Sequence, residues 1–582
     1  MSSNTTSNTP SSPRPNRRQF LVGLGSATAA LGAPALLAGA APAGAATATP
    51  PPPPPTPTPP PLNLSDIQGN VLGGFNKDNQ TLLALTFPTA AAGRSWVQSV
   101  RTQIASAAEV TAFNSARRAV AQRAGAQTSL LTSTWMNVAF THAGLAALKV
   151  NSTDLSLFPQ EFRIGMAARA PQLGDVGASA PSNWPLPFQR RAHALLILAA
   201  DTAADLTTLV NQQLALVKQL GAKVLWSQQG SVRVDQPGHE HFGFKDGISQ
   251  PGVRGLTVPL DPANPDQGIP GQDLLWPGEF VIGQPAQAGA GQPLATMGPV
   301  SVSGPAWATN GSYLVFRRLT QDVAGFRDFV ARTAAAQGIT ADLMGAKLMG
   351  RYKSGAALES TGARSIDPGI EDPTLLDDER VNDFEFGDDP DGAVVPLAAH
   401  VRKTYPRDEP TREGGESDTQ THRVMRRGIP FGTSLPADAP STHPAARPAY
   451  PADRGLLFLC YQSSIRRQFE FVQSRWVNDP NFPRNDSGQD PVIAQNATPG
   501  SFTLPGGQPN HIALMQRFVT TTGGDYFFQP SLAALKRLAG SAPVVAVAGV
   551  ALPLSTTAAS GPPRLPASPR RRKSKVRRPK RS

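Results

Sequence analysis

The sequence predicts an α+β fold on three observations: apolar runs of strand length, amphipathic helical stripes set between them in an irregular rhythm, and a later return of the same order. Residues 81–87 form a continuous apolar run and read as a buried strand. Trp96, Val97, Val100 and Ile104 then fall at helical spacing. Residues 135–140 make a second strand and 193–200 a third. Asp201-Thr202 offers a capping oxygen to a helix with the stripe Leu206, Leu209, Val210, Leu214, Val217 and Leu220, which Gly221 ends. Residues 223–226 are the fourth strand, and the whole suggests a ferredoxin-like split unit.

The second round begins with a strand at 313–316 and a helix carrying Phe326, Phe329 and Val330. A strand at 456–461 follows, then a helix marked by Ile465, Phe469, Val472 and Trp476. No residue-level repeat links the rounds. Between them, residues 359–391 are acidic and rich in Gly, Pro and Asp, without calcium-loop spacing, and are predicted to be a surface insertion.

A chain of 582 residues exceeds one average domain, so two domains with tails are expected, over residues 62–255 and 256–540. The net charge of +12 comes entirely from the two ends: three arginines before residue 20, and ten lysines and arginines from Arg564 on. The stretch between is nearly neutral, so the charge is no sign of a nucleic-acid-binding fold.

Arg17 and Arg18 precede a weakly apolar run and the small residues Ala43-Gly44-Ala45-Ala46, which together read as a twin-arginine signal peptide over residues 1–46. Gly and Pro interrupt the run and make it a poor membrane span. The chain is therefore expected to engage the twin-arginine export machinery and to be periplasmic or extracellular. Residues 47–61 form a proline-rich linker, and residues 541–582 a disordered basic tail. That tail could contact polyanions, though it has no aromatic residue to stack on bases. Cys460 is the single cysteine, which excludes an internal disulfide, a zinc–cysteine cluster and an iron–sulfur site.

The chemistry centres on the segment His239-Glu240-His241-Phe242-Gly243-Phe244-Lys245-Asp246-Gly247, one acid set between two glycines that let the backbone turn tightly and approach a bound group. Alone, this pattern marks an ordinary turn. Further on come Ala399-His400-Val401-Arg402-Lys403-Thr404-Tyr405-Pro406-Arg407 and Arg423-Val424-Met425-Arg426-Arg427-Gly428-Ile429-Pro430. Asp66-Ile67-Gln68-Gly69-Asn70, Gly455 to Gln462, Trp476-Val477-Asn478-Asp479-Pro480 and Gly524-Asp525-Tyr526-Phe527-Phe528 complete the set. In this order, over residues 62–539, these segments resemble the dye-decolorizing (DyP-type) haem peroxidases.

The resemblance implies two ferredoxin-like domains of the dimeric α+β barrel type, with one haem b per subunit in the C-terminal half. It implies reduction of hydrogen peroxide and one-electron oxidation of dyes, phenolics or other small-molecule electron donors. His400 becomes the proximal iron ligand, with His443 in reserve. Asp490 becomes its carboxylate partner, with Asp479 as the alternative. Asp246 becomes the distal acid, able to take a proton from one peroxide oxygen and return it to the other. An ordinary Asp has a pKa of ~3.9, so this base works in acid, and an acidic activity optimum is expected. Arg426 becomes the distal arginine, with Arg427 adjacent and not separable from it; Gly428 stands where many family members carry Asn. Arg402, Arg427, Gly243 and Gly247 are expected to contact the cofactor, Arg402 at a propionate. Trp476, Tyr461 and Tyr450 are candidate relays to bulky donors. A haem carrier and a deferrochelatase-like enzyme that releases haem iron are the competing readings.

Overall fold

The computed structural model describes residues 60–541, apart from 125–130, 413, 437–438, 440–442, 444, 447, 497–499, 506–510 and 515. The signal peptide, nearly all of the proline-rich linker and the basic tail lie outside the described residues. No helix among the described residues is long and apolar enough to cross a membrane.

Nine strands make one sheet. In chain order they are β1 (Asn79–Thr86), β2 (Thr134–Phe140), β3 (Ala194–Ala200), β4 (Lys223–Ser231), β5 (Ser312–Gln321), β6 (Met425–Arg426), β7 (Ile429–Phe431), β8 (Gly455–Gln462) and β9 (Val519–Gln529). Their spatial order is β6-β8-β5-β9-β2-β3-β1-β4, with β7 also on β8. Every pairing is antiparallel.

The two rounds of the sequence thus meet in a single sheet. Strand β9 joins them, pairing along its length with β5 and, at Phe528, with Phe140 of β2. The sheet also curls: a Cβ on Gly230 of β4 would lie 2.7 Å from Ile429 Cγ2 and 2.9 Å from the Pro430 carbonyl of β7. Only a glycine lets the two outer strands come this close.

The central strands are apolar on both faces because both are covered. In β3, Leu196 and Leu198 enter one core with Trp96, Val97 and Leu206, while Leu195 and Ile197 enter the other with Trp226, Phe316 and Phe527. The helix after the third strand starts where expected, and the one after the first strand starts in the same way. Thr89 and Thr202 cap α1 (Ala90–Val100) and α2 (Ala203–Gln219), their hydroxyls accepting from the Ala92 and Asp205 amides. Asp201 does not share the capping; its carboxylate takes Lys77 at 2.7 Å and Arg117 at 2.8 Å.

Two expectations change. The helix drawn through Ile465 to Trp476 begins only at Phe469, and Val472–Val477 is a wider π-helical turn. Gln468 breaks it, because its side chain accepts from the Ser464 amide and donates to the carbonyls of Glu279 and Arg423. Nor is 359–391 a mere surface insertion. Its second half turns inward, burying Asn382, Phe384, Phe386 and Asp389.

Candidate active site

One cavity holds about 1890 Å³ of space free of protein atoms, counted out to its mouth. The sheet supplies one wall. Arg317, Leu319 and Gln321 share a face of β5 by strand alternation, Leu456 and Phe458 come from β8, and Arg426 from β6. The opposite elements are helical: α3 (His400–Thr404) and the π turn, which bring His400, Val401, Val472 and Val477.

Asp246 and Arg426 meet in this cavity, the carboxylate Oδ1 accepting from Arg426 Nη1 at 3.2 Å and from the Gly247 amide at 2.6 Å. Arg426 Nη2 donates to the Ser249 carbonyl at 3.0 Å. The Gln250 amide clasps the Arg426 backbone, accepting from its N–H and donating to its carbonyl at 3.1 Å each, so loop and strand are tied together. Gly247 lines the cavity at φ +78°, a conformation that requires glycine although a Cβ would touch nothing within 4 Å. Gly243, also left-handed, turns the chain but does not reach the cavity; it packs near Gln236 and Lys353.

His400 lines the cavity from the helical wall, and its Nδ1 is bonded to Asp490 Oδ2 at 2.8 Å. Asp490 is buried and its Oδ1 accepts from the amides of Val492 and Ile493 at 2.8 and 3.0 Å. Nε2 is the nitrogen left to face the cavity. Asp479 pairs instead with Arg412. His443 is exposed in a loop, its Nδ1 accepting from the Ala445 amide.

Two arginines expected at the cofactor are elsewhere. Arg402 is fully buried behind α3, bonded to Glu409, Asp389 and the Val395 carbonyl, so no propionate reaches it. Arg427 turns away to the carbonyls of Asn70, Leu72 and Arg426. Burial pushes its guanidinium down to about 10. Arg426, not Arg427, faces the cavity.

Besides Arg426, the cavity is lined by cationic groups that were not singled out from sequence. Arg351, Arg407 and Arg423 interleave with Phe384 and Tyr405: Arg351 lies 5.0 Å and Arg407 3.8 Å from the Phe384 ring, and Arg407 5.0 Å and Arg423 3.5 Å from Tyr405. Burial and the neighbouring arginines push Arg351 down to about 9. Arg407 and Arg423 stood inside the quoted motifs; Arg351 and Phe384 gave no signal, since only the fold brings them alongside. Trp476 and Tyr461 are fully buried, while Tyr450 is partly exposed.

A haem fits this donor set. It needs an imidazole nitrogen at one face, which His400 offers, apolar walls, and cations for its two carboxylates. Arg317, which lines the same cavity, also has its Nε and Nη1 buried without a hydrogen-bond partner.

The family model of the DyP dimeric alpha+beta barrel domain matches residues 66–234, and that of the C-terminal Dyp-type peroxidase domain residues 287–508. Peroxidase 2 of Mycetinis scorodonius is 34% identical over 499 residues, 82% of this chain and 87% of that protein. The multifunctional dye peroxidase DyP2 of an Amycolatopsis species is 30% identical, covering 82% and 96%. Among solved structures, an ancestral D-type dye-decolorizing peroxidase is similar at a TM-score of 0.69 and 33% identity, covering 83% of this chain and all of that one. Similarity to a Yersinia pestis deferrochelatase is 28% over 171 residues, 29% of this chain. On fold, cavity and these matches together, the chain belongs to the dye-decolorizing (DyP-type) peroxidase family and is a peroxidase.

Proposed function

We propose that this chain reduces hydrogen peroxide to water at one haem b per subunit, drawing the electrons singly from dyes, phenolics or other bulky donors, with His400 as ligand and Asp246 and Arg426 as the groups acting on peroxide. One observation carries it: a carboxylate and a guanidinium meet in the same cavity as an imidazole already oriented by a buried acid. Bound there, haem would supply the iron at which peroxide is cleaved and the electrons are passed.

Asp246 accepts the proton of the oxygen nearer His400 and delivers it to the outer one, which leaves as water. Arg426, already within reach of that carboxylate, offsets the charge that builds on the departing oxygen. Two single-electron donations and two further protons turn the remaining oxygen into a second water. Asp490, bonded to Nδ1, fixes the His400 ring and makes it more electron-rich. Gly428 lines the cavity and carries no amide side chain, so Asp246 and Arg426 act without one at that position.

The test is the visible spectrum of the haem-loaded protein before and after one equivalent of peroxide. His400→Ala should lose the haem band, and Asp246→Asn should keep it yet react ~10²–10⁴-fold more slowly. Slow bleaching, equal in wild type and Asp246→Asn, would leave haem carriage as the function. The twin-arginine pair supports export to the periplasm or beyond, tested by exchanging Arg17 and Arg18 for lysine and following the protein across the membrane. The basic tail supports contact with polyanions, tested by heparin retention with and without residues 555–582.

A further inference from the structure

The mechanism leaves one acid of the cavity without a part. Glu240 lines it six residues before Asp246, and its side chain is buried. Its Oε2 accepts from the Phe242 amide at 2.8 Å and its Oε1 from the Phe244 amide at 2.9 Å, so one carboxylate folds the chain around itself. Its own amide donates to the Phe244 carbonyl at 3.0 Å, and its carbonyl accepts from Gly243 at 3.0 Å and from Arg233 Nη1 at 2.5 Å. Gln321, at the end of β5, donates to Oε2 at 2.5 Å.

Burial pushes the Glu240 carboxyl up from its ordinary value, and the three N–H donors oppose that shift. A buried acid so fully engaged is costly unless its geometry is used. Here the geometry leads to Asp246. The ring closed by Glu240 ends at Phe244, and Asp246 follows with its amide bonded to the Gly238 carbonyl at 2.9 Å. On the far side, Gln250 holds the Arg426 backbone. The distal acid is therefore braced twice against the sheet, through Glu240 and Gln321 before it and through Gln250 after it.

We infer that Glu240 is a positioning residue for peroxide cleavage: it fixes the loop that carries Asp246 against strand β5, and so sets where the distal carboxylate stands relative to Arg426. The inference rests on Asp246 being the proton carrier. Glu240 touches no reacting atom in this account. A loop displaced by about 1 Å is enough to cost on the order of 10²-fold in rate.

The experiment is stopped-flow mixing of haem-loaded protein with peroxide, for wild type, Glu240→Gln, Asp246→Asn and the double variant, with donor oxidation measured alongside. Glu240→Gln should slow the peroxide reaction by ~10–10²-fold while the haem spectrum and the donor KM stay as in wild type. On the Asp246→Asn background the same change should cost nothing more, because a brace cannot matter once the group it positions is gone. A wild-type rate for Glu240→Gln, or a loss that multiplies that of Asp246→Asn, overturns the inference. Asp246→Asn reacting like wild type instead overturns the proton carrier, and the brace with it. If Glu240→Gln does not take up haem, Gln321→Leu, which keeps the carboxylate but removes its tie to the sheet, is judged by the same two criteria.

Discussion

On the helical wall, Asp490 is fully buried and accepts three hydrogen bonds, so the His400 ring has one orientation; on the sheet wall, Asp246 and Arg426 keep 34% and 35% of their side-chain surface exposed and share a single 3.2 Å contact. The contrast suits the work proposed for each side. The proposed iron ligand needs only to be held, and a dry, fully satisfied acid holds it best. A proton carrier must be reached by peroxide and water, so its rigidity comes from the backbone behind it instead.

The comparison can be broken from either wall. The largest effect is expected at the exposed pair. Arg426→Leu should lower kcat by ~10²–10³-fold without loss of the haem band, since it removes a fixed charge at the departing oxygen. Asp490→Asn should have a smaller effect, ~10–100-fold in activity or haem affinity, with an altered spectrum reporting the disturbed imidazole. Equal losses from the two would mean that the walls are not specialised.

The smallest effect is on stability. Lys403 follows His400 on α3, and burial holds its ammonium down to about 7, with the Asp479 carbonyl as an acceptor at 2.8 Å. The unfolded chain keeps the ordinary lysine value near 10.5 and so binds more protons between the two. Stability therefore gains from this group as pH rises from about 7 towards 10, and loses nothing further below 7. Thermal unfolding of wild type beside Lys403→Met should show that rise only in wild type.

Much of this was legible in the sequence, for a definite reason. Residues whose role depends on local pattern were placed correctly: the apolar strands and Thr202 as a cap. Asp246, Arg426 and His400 do line one cavity, with Asp490 buried behind His400, because motifs repeat their order from one family member to another. What could not be read was the direction of a guanidinium. Arg402 and Arg427 differ from Arg426 only in which acceptors the fold brings near, Glu409 and Asp389 for one and the Asn70 and Leu72 carbonyls for the other. The inward turn of 382–389 was hidden because its acidic neighbours dominate the composition.

The joining strand β9 has a consequence for synthesis. It is the last strand of the sheet to leave the ribosome, yet it sits between β5 and β2 at the centre of the spatial order. Until it arrives, the nascent chain carries two half-sheets, each with an open edge able to pair with a neighbour on the same message. The chain is thus most vulnerable to clumping late in translation, and anything that slows the ribosome beyond residue 462 lengthens that interval. Completion of β9 covers the β5 edge along its length, bridges to β2 at Phe528, and completes the cavity wall that carries Val519.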